Sequence, residues 1–191
     1  MILQTLPSTL RTDPFPHVCA TQAFDFAQSL KILSWLEKDA PWKLKIAEFY
    51  EQYEFSFDQL ELPCDIESTF NGKSLINLRE KLEHTFDANL SNKIDITAHK
   101  LVKGQRIRIH NDFIPNEETH RVLIQLNRAW SSENGGVLMM FGSKNTEDLR
   151  NIYNPAHNTS VAFEISPVSY HAVSPINFGD RYTLVLSFYG K

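Results

Sequence analysis

Cysteine is nearly absent: 2 among 191 residues, too few for disulfides to substitute for a hydrophobic core. Cys19 and Cys64 sit in no Cys-x-x-Cys motif and no Cys/His cluster, so both are expected to be reduced thiols of a cytoplasmic protein. No apolar run approaches the roughly 20 residues of a membrane span. The N-terminal Met1-Ile2-Leu3-Gln4-Thr5-Leu6-Pro7 lacks the basic stretch and long apolar core of a secretory signal. Internal repeats and low-complexity tracts are missing, which speaks against collagen-like or disordered structure. An excess of positive charge is missing too. With 19 basic and 23 acidic side chains the net charge is −4, which excludes a general nucleic-acid binder.

What is present is the composition of one soluble domain. Hydrophobic residues make up 42% and charged residues 22%, and 13 phenylalanines promise a large core for this length. Residues 1–100 carry 10 basic and 15 acidic side chains, and residues 101–191 carry 9 and 8. The two halves are therefore expected to be solvated differently.

The halves differ in pattern as well. Asp13-Pro14-Phe15-Pro16 predicts an extended or turned entry. Helical spacing of Phe26, Leu30, Leu33 and Leu36 predicts a helix over 21–38, with Thr21 as its cap and Asp39-Ala40-Pro41 as its end. Trp42, Leu44 and Ile46 alternate with lysines as in a half-buried strand. Segment 47–57 mixes aromatics with glutamates, a core face beside a solvated one. Leu75, Leu78, Leu82 and Phe86 predict a second helix over 74–86. After residue 90 the signals are short strands, at about 94–102, 105–110, 121–127, 136–141, 160–165, 170–173 and 181–189, separated by turns such as Asn134-Gly135-Gly136. The expected fold is mainly β: a jelly-roll core over about 94–190, with helices from about 1–93 packed outside it, in a single domain.

The chemistry concentrates in Ile109-His110-Asn111-Asp112-Phe113. On a strand, a spacing of two places the His110 imidazole and the Asp112 carboxylate on one face. They would supply two of the three ligands of a facial iron site. His171, on a later strand, is either the third ligand or a buried neutral histidine bonded to backbone. Arg181 opens an apolar strand and requires a carboxylate, because a buried unpaired charge costs several kcal/mol. Asp180 is one candidate partner and an external dicarboxylate is another. Thr183, two residues on, faces the same side.

Taken together these stretches resemble the Fe(II)- and 2-oxoglutarate-dependent dioxygenases, in particular their prolyl-4-hydroxylase-like branch. The resemblance spans about residues 97–190, with a fainter echo over Asp13–Val18. It is carried by Gly104, His110-Asn111-Asp112, Arg121-Val122-Leu123-Ile124-Gln125-Leu126-Asn127 with Trp130, Gly135-Gly136-Val137-Leu138, His171-Ala172-Val173 and Arg181, in the family's order. It implies a double-stranded β-helix that binds Fe(II) through His110, Asp112 and His171. It also implies that Arg181, helped by Thr183, holds the distal carboxylate of 2-oxoglutarate, and that Leu138 and Val173 form apolar walls. Gln125 stands where the family usually has a cosubstrate-binding tyrosine, and its amide can donate the same hydrogen bond. Lys100 and Leu101 replace the aromatic expected before Gly104.

The implied reaction consumes O2 and 2-oxoglutarate, yields succinate and CO2, and hydroxylates an unactivated C–H of a peptidyl or free amino acid. Asp112 points to hydroxylation, since halogenating relatives lack this carboxylate. Ser187 stands where the nucleic-acid-demethylating branch has a second arginine. Expected partners are a peptide, protein or amino-acid substrate, with no nucleic acid and no membrane. Arg106 and Arg108 share strand parity with His110 and are candidates for substrate recognition at the pocket mouth; a solvated strand face explains them equally. His17, His84, His99, His120 and His157 are expected in solvent. The competing class is an inert jelly roll that binds metal and carboxylate without oxidation.

Overall fold

The structure, a computed structural model, describes residues 2–3 and 9–191. Eleven strands and three α-helices are present among them. The strands are β1 (His17–Ala20), β2 (Lys43–Ile46), β3 (Glu51–Ser56), β4 (Leu90–Leu101), β5 (Ile107–His110) and β6 (Glu118–Gln125). They continue with β7 (Leu138–Phe141), β8 (Leu149–Tyr153), β9 (Thr159–Glu164), β10 (His171–Val173) and β11 (Arg181–Gly190). The helices are α1 (Phe26–Lys38), α2 (Cys64–Glu67) and α3 (Gly72–Phe86).

Two antiparallel sheets face each other. The larger has the order β1-β9-β6-β11-β4-β3-β2, the smaller β5-β10-β7-β8. Alternation along β11 divides the molecule into layers. Leu184, Leu186 and Phe188 point to one face, where they join Ile32, Leu33, Leu36, Leu78 and Leu82 of the helices in one core. Val185 points to the other face, into a second core between the sheets with Leu123, Leu138, Met140, Val161 and Phe163. This is the expected jelly roll with helices outside.

Boundaries depart from expectation for local reasons. Helix α1 starts at Phe26 and not at 21, because Asp25 is its cap and accepts from the Gln28 N–H at 2.9 Å. Residues Ala23 and Phe24 are tied in a bend to Asn158, whose side chain accepts from the Phe24 N–H at 2.9 Å and donates to its carbonyl at 2.8 Å. Helix α3 starts at Gly72, two residues earlier than predicted, with Asn71 as its cap accepting from Ser74 N–H at 2.9 Å. Strand β2 is exposed throughout, with Leu44 at 50% and Ile46 at 72%, because it forms the sheet's outer edge and nothing covers it. Strands β1 and β8 carried too little alternation to be read from sequence; β8 contains Arg150 and Asn151 among its five residues.

Candidate active site

Strands β5 and β10 are neighbours in the smaller sheet, and their register sets His110 directly opposite His171. The two imidazole centroids lie 4.2 Å apart. Asp112 reaches them by a route other than strand alternation. Strand β5 ends at His110, and Asp112 follows in a loop with φ of 56°, in the left-handed region. That loop is clamped to the segment before β10: Asn111 Nδ2 donates to the Pro167 carbonyl at 3.0 Å, and Ser169 Oγ donates to the Asn111 carbonyl at 3.1 Å. Asp112 Oδ2 thereby sits 3.2 Å from His110 Nε2 and 3.1 Å from His171 Nε2.

Both histidines are oriented alike. His110 Nδ1 lies 2.8 Å from the Arg108 carbonyl, and His171 Nδ1 lies 2.8 Å from the Ser169 carbonyl. A carbonyl only accepts, so each Nδ1 carries the proton and each Nε2 presents its lone pair. Two imidazole lone pairs and one carboxylate oxygen therefore converge within 4.8 Å of one another, with no donor hydrogen between them. A divalent cation satisfies that donor set, and two histidines with one carboxylate suit Fe(II) with open positions. Burial holds His171 below the ordinary histidine range, helped by the neighbouring His110, so it is neutral and able to ligate at neutral pH.

Arg121 completes this end of the site, and sequence reasoning gave it no role. It lies on β6 with Nη1 on Asp112 Oδ2, while its Nε donates to Glu118 Oε1 at 2.9 Å and its Nη2 to Glu118 Oε2. Burial alone would raise the Asp112 carboxyl, but the Arg121 guanidinium holds it below the usual carboxylate range. Two rings shield the histidines: Phe49 stacks on His110 at 4.5 Å, and Phe163 meets His171 edge-on at 5.0 Å. Phe49 comes from the β2–β3 hairpin, a placement that no local signal in segment 47–57 could reveal.

Across the cavity, Arg181 opens β11 and is 3% exposed. Its Nη1 donates to Thr183 Oγ1 at 2.8 Å, and Thr183 Oγ1 donates to Gln125 Oε1 at 2.9 Å. Its Nε and Nη2 are buried without a partner. Burial lowers its pKa to about 9. Asp180 is not its counter-ion: that carboxylate lies 3.4 Å from the Tyr182 hydroxyl and is exposed. A guanidinium with two orphaned donors fits an external carboxylate. Gly136, at φ 65°, makes room for it, since a Cβ there would lie 2.9 Å from Arg181 Cδ.

These groups share one cavity of about 380 Å³. Its wall includes the three metal-site residues, Arg181, Thr183, Leu138 and Val173. Gln125 is buried behind Thr183 and is not part of the wall. Arg106 and Arg108 are exposed and do not line it either. The expectation of solvated histidines fails at several positions. His99 lines the cavity beside Thr183 in the β-ladder, and burial pushes its pKa to about 4. His120 is buried, also with a pKa near 4, and His17 is buried with Nε2 2.6 Å from the Tyr153 hydroxyl. His157 is half-buried, with Nε2 2.9 Å from Ser29 Oγ. His84 alone of the five is exposed.

Comparison with known proteins agrees with this architecture. The family model of the 2OG-Fe(II) oxygenase superfamily matches residues 96–189, the jelly-roll part of the chain. Among solved structures the chain is similar to a prolyl-4-hydroxylase from Pseudomonas putida, with a TM-score of 0.74 and 17% identity over 92% of each chain. It is similar to a prolyl hydroxylase from Trichoplax adhaerens in complex with a hypoxia inducible factor peptide fragment, with a TM-score of 0.74 and 13% identity over 91% of this chain and 83% of that one. A viral collagen prolyl hydroxylase from Paramecium Bursaria Chlorella virus-1 gives 0.67 and 15% over 92% and 96%. At such identities the likeness shows the fold. No curated protein matches the sequence significantly. Among the described residues, no helix is long and apolar enough to cross a membrane.

Proposed function

The chain belongs to the 2OG-Fe(II) oxygenase superfamily, whose members use Fe(II), 2-oxoglutarate and O2, and from that premise we propose that it hydroxylates an unactivated C–H of a peptidyl or free amino acid. The observation that carries this reading is the pairing, in one cavity, of a convergent His-Asp-His donor set with an arginine that has two orphaned donors. The solved prolyl hydroxylases of the same fold, one of them bound to a peptide, support an amino-acid substrate.

The residues divide the work. His110, Asp112 and His171 would hold the iron. Arg181 and Thr183 would take a carboxylate of 2-oxoglutarate, with Leu138 and Val173 as apolar wall of the same cavity. Phe49 and Phe163 keep water from the two imidazoles. When bound, iron and cosubstrate supply an O2-dependent oxidation in which 2-oxoglutarate loses CO2, one oxygen atom enters succinate and the other replaces hydrogen by hydroxyl on the substrate. We read residues 1–191 as one oxygenase domain, because side chains of α1, α3 and the larger sheet share one core. The unpaired thiols of Cys19 and Cys64 support a reducing, cytoplasmic setting.

The test is turnover. Incubation with Fe(II), 2-oxoglutarate, O2 and a panel of amino acids and peptides is expected to yield succinate in step with one oxygen atom added to a panel member. Iron-loaded protein that leaves 2-oxoglutarate unconsumed with every panel member contradicts the proposal.

A further inference from the structure

Strand β4 is paired along its length on one side only. Strand β11 covers it from Leu101 down to Leu90. On the other side β3 pairs with Thr97 to Lys100 and then stops at Ser56, where the chain turns away at Phe57. No strand among the described residues pairs with Leu90–Ile96 on that edge. A free edge is a template for another strand unless it is blunted or covered.

This edge opens onto a groove of about 210 Å³, in the place a longer β3 would have filled. Phe57, Leu62 and Phe70 line it together with Ile94 and Ile96 of the edge. Its polar lining is acidic: Asp58 and Glu67 are exposed on the rim, and Asp95 belongs both to this groove and to the central cavity. Lys93, adjacent on β4, is engaged by Asp95 at 3.5 Å and by the face of Tyr189 at 3.8 Å. The surroundings extend the charge. Residues 46–72 contain seven acidic side chains (Glu48, Glu51, Glu54, Asp58, Glu61, Asp65 and Glu67) and no basic one. In the cavity wall next to this segment, Gln52 is 2% exposed and its Oε1 has no partner, while its Nε2 donates to Glu54 Oε2 at 2.8 Å.

We propose that the free edge of β4 and its acid-rimmed groove dock an extended, lysine- or arginine-bearing segment of a protein substrate by strand addition, and deliver it to the central cavity. The inference rests on the oxygenase reading for the delivery but not for the docking. Main-chain groups of the added strand bond the edge beyond Ile96, whose carbonyl already accepts from Ser56 Oγ at 3.5 Å. Side chains of one parity follow Ile94 and Ile96 into the apolar floor, and those of the other parity follow Asp95 towards the cavity. Basic side chains meet Asp58 and Glu67 on the rim, which speed encounter and reject acidic segments, while Asp95 is held by Lys93 and by the Tyr189 hydroxyl, which donates to it at 2.6 Å. Asp95 lines both the groove and the cavity, and marks the side from which a bound segment would enter.

The probe is a fluorescein-labelled decapeptide of alternating lysine and valine, followed by anisotropy with the full chain. Saturable binding is expected, weakening with salt, and at least tenfold tighter than that of the matching glutamate–valine peptide. The double charge reversal Asp58→Lys with Glu67→Lys alters two exposed side chains and is expected to weaken the lysine peptide about tenfold. A lysine–valine peptide methylated on alternate backbone nitrogens keeps its charge and is expected to lose binding. Equal binding of the lysine and glutamate peptides, no binding of either, or unchanged binding of the methylated peptide overturns the proposal. The assay needs no turnover. Anaerobic addition of Fe(II) and 2-oxoglutarate to the same preparation reports the oxygenase reading separately, through the visible band of the chelate.

Discussion

Arg121 and Arg181 enter one cavity from neighbouring strands, β6 and β11, and meet opposite electrostatic fates. Arg121 is saturated: Glu118 takes two of its donors and Asp112 a third. Those carboxylates outweigh burial and raise its pKa further. Arg181 has one neutral hydroxyl for company, and burial lowers its pKa to about 9. A guanidinium fully paired within the chain positions other groups. A guanidinium left unpaired in the interior is destabilising on its own account and makes sense as a binding site. The His-Asp-His end of the cavity is thus saturated from within the chain, whereas the Arg181 end keeps two unpaired donors.

The severest way to break this comparison is to remove the carboxylate at its centre. Asp112→Ala deletes a metal ligand and leaves Arg121 with Glu118 alone. Turnover of 2-oxoglutarate and Fe(II) affinity are expected to fall by at least ~100-fold, read by succinate formation and metal titration. Next, denaturant unfolding of Arg121→Met and Arg181→Met should give opposite results. Arg121→Met strands two buried carboxylates and is expected to cost about 3–5 kcal/mol. Arg181→Met removes an uncompensated charge and is expected to be neutral or stabilising in the absence of 2-oxoglutarate. It should also abolish the stabilisation that 2-oxoglutarate confers on metal-loaded wild type. Equal destabilisation by the two changes would contradict the contrast.

A pH series sharpens the same picture. His99 shares the cavity with both arginines and stays neutral, since burial first, and the positive charges second, push its pKa to about 4. Burial does the same to His120. The unfolded chain takes up these protons near pH 6.5, and the native state resists until about pH 4. Stability therefore falls as pH drops through that window, at roughly 1.4 kcal/mol per pH unit for each histidine. Replacing His120 by Phe should remove half of the slope that these two contribute, measured by urea midpoints from pH 7 to 4.5. The smallest effect belongs to Gln125→Leu. Gln125 touches the site only through Thr183, so the loss of one hydrogen bond, about 1 kcal/mol, should raise the KM for 2-oxoglutarate roughly fivefold and leave metal affinity unchanged. An unchanged KM would remove Gln125 from the chain of contacts behind Arg181.

Much of this was legible in the sequence, for identifiable reasons. The largely apolar run of β11 fits a strand buried on both faces, and a lone arginine in that run announces a missing carboxylate. His110 and His171 were both expected on strands, but that β5 and β10 are neighbours in one sheet, with the two histidines in register, is a tertiary fact. Asp112 was correctly paired with His110 on the wrong ground, since a left-handed loop residue, not strand parity, turns its carboxylate inward. What escaped was mostly tertiary. Nothing local to Arg121 distinguishes it from a solvated strand residue; Glu118 is three positions before it on the same strand, and Asp112 nine positions before it across a loop. His17, His99 and His120 appear polar along the chain but are packed by elements distant in sequence. The β2–β3 hairpin carries Phe49 onto His110 across sixty-one positions, beyond the reach of periodicity.

The most direct measurement is the visible absorption of the protein with Fe(II) and 2-oxoglutarate in the absence of oxygen. It requires no substrate. A metal-to-ligand charge-transfer band should form, vanish in Asp112→Ala, and need far more 2-oxoglutarate in Arg181→Met. Iron that binds without producing this band at any 2-oxoglutarate concentration would contradict the cosubstrate site and leave a metal-binding jelly roll in its place.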